Sequence, residues 1–158
     1  MAVRDYQDKP VSDDLIRRIV EAGRLTASGS NKQPWHFVLV RERDGLRALG
    51  SLVRTGPYTA NAAFAIVVAY EKGSPLGVSD ASRAIQSMIL TAWADGVGSN
   101  WTGFAGMDAV RKQVGLPETY DVIGVLPFGY PAHPVKGIKK RKALGEMASA
   151  DRFGQPFS

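Results

Sequence analysis

Cysteine is absent from the 158-residue chain, which excludes disulfides, thiolate nucleophiles and cysteine-based metal sites. Histidine is nearly absent. Only His36 and His133 occur, without helical spacing, so a catalytic metal centre would lack nitrogen ligands. No apolar run approaches the ~20 residues of a spanning helix. The first residues, Met1-Ala2-Val3-Arg4-Asp5, carry no signal-peptide pattern, and the expected location is the cytoplasm. The motifs of hydrolytic and nucleotide chemistry are missing as well. There is no Gly-x-Ser-x-Gly elbow, and neither histidine has an evident acid partner. No Gly-x-Gly-x-x-Gly follows an expected strand, and no P-loop word occurs. Gly96-Val97-Gly98 leaves an expected helix instead of opening one, so it is a poor dinucleotide fingerprint. An enzyme built from such a chain would leave the difficult chemistry to a bound cofactor.

What is present fits one domain with a core of its own. The spacing of Leu15, Ile16, Ile19 and Val20 predicts an amphipathic helix over 13–24, capped by Ser12 or Asp13. A buried core strand is expected over 35–41, a short helix over 43–52, and a central strand over the very apolar run 62–70. Ser79 and Asp80 are expected to cap a long helix over 81–95, with Ala84, Ile85, Met88, Ile89, Ala92 and Trp93 as its apolar stripe. A short helix over 107–114 and a strand over 120–128 follow. Helices alternate with few strands, which favours a mixed-sheet α+β sandwich over a long doubly wound sheet. The net charge is +5, and Lys136, Lys139, Lys140, Arg141 and Lys142 lie together without an acid among them. Such a cluster is a candidate anion site or a solvated basic turn.

One stretch is more specific than the rest. Residues 28–33 read Ser-Gly-Ser-Asn-Lys-Gln, between the first helix and the Pro34-Trp35-His36-Phe37 strand entry. Ser28, Ser30, Asn31 and Gln33 donate and accept hydrogen bonds without charge, which suits the edge of a carbonyl-rich ring. On composition alone an ordinary polar loop is the favoured reading.

The word Asn-x-Gln-Pro-Trp-x-Phe after a serine-rich turn resembles the FMN-dependent nitroreductase family. The helix opening with Asp80, the segment 100–104, and Gly129-Tyr130-Pro131 followed by Lys139-Lys140-Arg141 resemble it too. Arg4-Asp5-Tyr6 matches the end of the family's N-terminal basic word. That word's serine falls on Ala2, and its first arginine would precede Met1, so either half of the clamp is missing or the true start lies upstream.

The resemblance implies a single nitroreductase-like α+β domain over 1–158, with a mixed, mainly antiparallel sheet flanked by helices. Residues 145–158 would be a tail embracing a second copy. It implies FMN at the interface of a homodimer. Arg4, Lys139 and Arg141 would hold its phosphate. Ser28, Gly29, Ser30, Asn31 and Gln33 would meet the ring edge or ribityl chain, and backbone N–H groups of Thr102 and Gly103 would face flavin N5. Asp80 is read as a helix cap, and Gln86 as a surface or interface residue. The implied activity is electron transfer from NADH or NADPH through flavin N5 to a nitroaromatic, quinone or similar acceptor by a ping-pong mechanism. No side chain is assigned a catalytic role, no metal is expected, and neither nucleic acid nor membrane is an expected partner. The cover over the active site in larger members is almost absent, which implies an open pocket. The alternative is a flavin-binding carrier or sensor with little turnover. A nucleic-acid module using 136–142 is weaker, because that cluster lacks interleaved aromatics.

Overall fold

The computed structural model describes residues 2–103, 107–135, 137 and 139–157. Four strands form one sheet in the order β1-β2-β4-β3, with β1 at Trp35–Val40, β2 at Phe64–Glu71, β3 at Gly98–Ser99 and β4 at Tyr120–Gly129. Every strand pair is antiparallel. A parallel bridge from Ala2 to Ser99 continues the sheet past β3 and supplies its mixed character.

Four helices cover the two faces: α1 (Asp13–Arg24), α2 (Arg43–Leu52), α3 (Gly77–Ala94) and α4 (Asp108–Gln113). β2 explains the layering. It alternates Phe64, Ile66 and Val68 with Ala65, Val67 and Ala69, and all six are buried. A strand apolar on both faces needs a helical layer on each. The larger residues pack against Leu15, Ile16 and Ile19 of α1 and Ala81, Ile85, Met88 and Ala92 of α3. The smaller ones pack against Leu46 and Leu49 of α2 and Val110 of α4. Phe64 and Phe128 stack with centroids 4.9 Å apart, and truncating either would cost about 3–5 kcal/mol.

Three expectations need correction. β1 is an edge strand, half-buried at best, with His36 and Leu39 turned to solvent; its aromatic content, not burial on both faces, made it strand-like. Trp93 sits on the rim of α3, 36% exposed, outside the buried stripe. The third concerns the start of α3. The helix begins at Gly77, so Asp80 is not its cap: the Asp80 N–H already donates to Leu76 O at 2.8 Å within the first turn. The cap-like composition of Ser79-Asp80 masked an earlier start after Pro75-Leu76. Gln86 is exposed on α3, as expected of a surface residue. No helix among the described residues is long and apolar enough to cross a membrane.

Candidate functional site

The polar loop leads from α1 into β1. Three of its residues without glycine's freedom adopt left-handed backbone: Ser30 (φ 48°), Asn31 (φ 54°) and Gln33 (φ 50°). Each such position costs roughly 1 kcal/mol or more unless its surroundings enforce it. Local bonds fold the loop on itself. Ser28 Oγ accepts from Gln33 N–H at 2.9 Å, Gln33 Nε2 donates to Asn31 O at 3.3 Å, and the Asn31 N–H donates to Ser28 O at 3.0 Å. Ser30, Asn31 and Gln33 are exposed, so their remaining donors and acceptors face outward.

The loop meets the body at Gly29, whose N–H donates to Asp80 Oδ2 at 3.1 Å. A Cβ on Gly29 would run into Leu76 at the start of α3. Asp80 is buried, its side chain 1% exposed, and Arg83 donates to its other oxygen. Sequence reasoning missed this role. The signal was the Asp80–Arg83 spacing, which pairs only on a helix already under way.

The second group stands at another corner. Thr102 bridges to Val125: its N–H donates to Val125 O at 3.0 Å, and its carbonyl accepts from Val125 N–H at 2.8 Å. The Thr102 hydroxyl lies 2.9 Å from that of Thr55 and is buried. The Thr102 amide is therefore spent on the sheet, contrary to the expectation that it faces a ligand. Gly103 differs. It is left-handed at φ 78°, and its N–H has no partner among the described residues.

Arg4 belongs to this corner. Its guanidinium lies over the Tyr58 ring, 5.9 Å from the centroid, and Tyr58 OH accepts from Asn100 Nδ2. Its segment is tied down on either side. The Val3 N–H donates to Ser99 O at 2.9 Å, and Tyr6 OH donates to Val3 O at 2.8 Å with Pro127 O at 3.2 Å. Burial pushes the Tyr6 phenol far above its ordinary range. Tyr58 and Asn100 were not singled out from sequence, because a lone tyrosine after Gly56-Pro57 gives no periodic signal.

The third group, Lys139 and Arg141, is exposed on the C-terminal tail. Neither makes an ion pair among the described residues, and Arg141 donates only to the adjacent Lys140 O. Lys136 and Phe104, both part of the sequence reading, lie outside the described residues. Hydrogen bonds of residues 139–157 run only among themselves, among the described residues, while Leu144, Met147 and Phe153 are exposed.

One chain does not bring the first two groups together. The loop enters β1 at one edge, where Trp35 pairs with Tyr70, while Thr102 lies beside β4 on the opposite side from β2 and Ala2 bridges to β3 at the other edge. The strand order places about 14 Å of sheet between the edges, from three spacings of ~4.8 Å. Along the strands, Trp35 aligns with Tyr70, whereas Thr102 aligns with Val125 and so with Val67. That adds an offset of about 10 Å at ~3.3 Å per residue.

The α+β sheet thus carries a strained polar loop at one edge and, at the other, the Gly103 amide and the Arg4–Tyr58 contact. The model of the nitroreductase family, described as "Nitroreductase family", matches residues 1–72 and 55–130, and the chain belongs to that family. A protein of Archaeoglobus fulgidus is 35% identical over 139 residues, 82% of this chain and 80% of its own length. A crystal structure from Bacteroides thetaiotaomicron superposes with a TM-score of 0.88 at 31% identity, covering 97% of this chain and 93% of the other. Both carry the name "Putative NADH dehydrogenase/NAD(P)H nitroreductase". An FMN-dependent nitroreductase of Clostridium difficile shares the fold, with a TM-score of 0.89 at 23% identity over 97% of this chain and 95% of that one.

Proposed function

We propose that the protein is an FMN-dependent NAD(P)H oxidoreductase working as a homodimer, with FMN between the two copies. The observation that carries this reading is the division of the site. The loop of residues 28–33 and the Arg4–Gly103 corner are each built to meet a ligand, yet within one chain they stand at opposite edges of the sheet. A second copy that sets its loop against the first copy's corner makes one complete site. The exposed face of α3, with Val78, Leu90 and Trp93, supports the pairing: apolar groups left open on one copy gain by covering each other. Residues 145–158, whose exposed Met147 and Phe153 find no cover in their own chain, would wrap the partner.

The residues present fit the cofactor. Ser28, Ser30, Asn31 and Gln33 offer uncharged donors and acceptors to a carbonyl-rich ring or polyol chain. Lys139, Arg141 and Arg4 offer charge to a phosphate dianion, the arginines as planar forks and the lysine as a mobile point charge. Gly103 offers a backbone N–H that has no partner among the described residues, on a left-handed backbone that glycine adopts without steric cost. Bound FMN would supply the redox chemistry: hydride acceptance from NADH or NADPH at N5, then electron delivery to a nitroaromatic, quinone or similar acceptor in ping-pong order. The chain's own part is to orient reactants against the ring and to hold a hydrogen-bond donor, Gly103 N–H, where electron density gathers. No side chain has to lose or gain a proton for that. A cytoplasmic location accords with this chemistry.

The test is the purified protein. The expected result is a yellow protein with flavin bands, about one FMN per chain, and steady NAD(P)H oxidation when a nitroaromatic or quinone is added. A protein that stays colourless in excess FMN would overturn the reading. Flavin bound without turnover would make it a carrier or sensor.

A further inference from the structure

We propose that Asp80 is a positioning residue for the binding loop: its buried carboxylate holds Gly29, and through it sets the strained conformation in which residues 30–33 face a ligand. The loop's other hydrogen bonds among the described residues are internal to it. Among the described residues, Gly29 N–H to Asp80 Oδ2 is the bond that joins residues 28–33 to a helix. Leu76 packs over Gly29 from the same turn of α3, so the loop is held by one carboxylate and one close approach.

A cap would account for Asp80 without any loop, but the geometry excludes that. The Asp80 amide is inside the helix, and Leu76 is the cap. An acid near a helix start also gains from the helix dipole, yet that gain does not need burial. Taking a carboxylate to 1% exposure is costly unless its oxygens are bonded. Here one oxygen is satisfied by Arg83 and the other by the loop's backbone. Arg83 is half-exposed, so it neutralises the carboxylate without competing for the loop.

The ligand readout rests on the flavin reading above; the anchoring does not. Two measurements on the full-length protein separate them. The first is amide hydrogen exchange at Gly29, without FMN. In the wild-type chain this amide is expected to be protected well beyond open coil, as a hydrogen-bonded amide is. Asp80→Ala should raise its exchange rate roughly tenfold or more, as expected when a buried bond is lost, and Asp80→Asn, whose amide oxygen still accepts, should keep protection. The second is FMN titration by fluorescence. Asp80→Ala should weaken binding roughly tenfold, about 1.4 kcal/mol, with Asp80→Asn near wild type. A role confined to stability would lower the melting temperature and leave affinity unchanged. An Asp80→Ala variant with wild-type exchange and wild-type affinity overturns the proposal. A wild-type Gly29 amide that exchanges as fast as open coil overturns it without any variant, which covers the case in which Asp80→Ala does not fold. A wild-type protein that ignores FMN but protects Gly29 defeats the flavin reading and leaves the anchor standing.

Discussion

The chain needs a left-handed backbone at both corners of the candidate site, and meets the need in opposite ways. At Gly103 the position is given to glycine, which adopts φ 78° without steric cost. In the loop, Ser30, Asn31 and Gln33 adopt φ of 48°, 54° and 50° with their side chains in place. Glycine would relax all three. Under the proposed function the main chain would bind at Gly103, where a Cβ would run into Met107. In the loop the side chains would bind, and the strain would be retained for their sake. The loop therefore needs an outside hold, which the Thr102–Val125 bridge makes unnecessary at the other corner.

The largest effect should come from separating phosphate recognition from ring recognition. The double variant Lys139→Ala/Arg141→Ala removes two charge-assisted contacts, each of the order of 1.5–3 kcal/mol, so FMN should bind about a hundredfold more weakly or worse. Riboflavin, which has no phosphate, should bind the variant as it binds the wild type. Parallel titrations with the two flavins check this. Equal losses for both would mean that the basic tail holds the dimer, or the ring, instead of the phosphate.

Much of the fold was legible in the sequence. The two-faced burial of β2 shows as an unbroken apolar run, and α1 shows as a clean 3.6-residue period ended by Arg24, which pairs with Glu21 at 2.6 Å. The family signature drew attention to the loop and to the segment that holds Gly103. The start of α3 and the role of Asp80 were not legible, because Ser79-Asp80 has the composition of a cap, and tertiary contact with Gly29 decided otherwise. The Thr102 amide was misjudged for a related reason: hydrogen bonds to Val125 depend on a bridge between residues far apart in sequence. The half-exposed character of β1 also escaped, since edge and centre are properties of strand order. That the two candidate groups sit at opposite edges followed only from strand order.

Exchanging the two solutions sharpens the contrast. Gly103→Ala places a Cβ at positive φ and against Met107 Cε at 2.5 Å and Sδ at 2.7 Å. It should destabilise the fold by about 1–2 kcal/mol and weaken flavin binding, because the amide is turned away. Ser30→Gly should do the reverse to stability, raising it by up to ~1 kcal/mol, while still weakening both flavins severalfold through a looser loop. Melting curves with and without flavin read both effects. A Ser30→Gly protein that is less stable than wild type would mean that the loop is not strained at that residue.

The smallest effect concerns how the cationic corner is secured. Tyr6 OH donates to Val3 O, and burial raises its pKa well above the ordinary value of 10.0, against a smaller opposing pull from Arg4. A raised folded pKa gives stability that is fully present below the unfolded value and is lost as pH climbs beyond it. Between pH 7 and 9 the wild type should therefore exceed Tyr6→Phe by about 1 kcal/mol, the worth of one buried hydrogen bond. From about pH 10 upward the unfolded wild-type chain ionises Tyr6 and the folded one does not, so the gap should narrow. The other tyrosines titrate in both proteins and cancel in the difference. Urea melts of the pair from pH 7 to 11 measure it. A gap that stays constant through pH 11 would show that Tyr6 ionises as readily in the fold as outside it, and that Arg4 is carried by a looser segment than the Val3 and Tyr6 bonds imply.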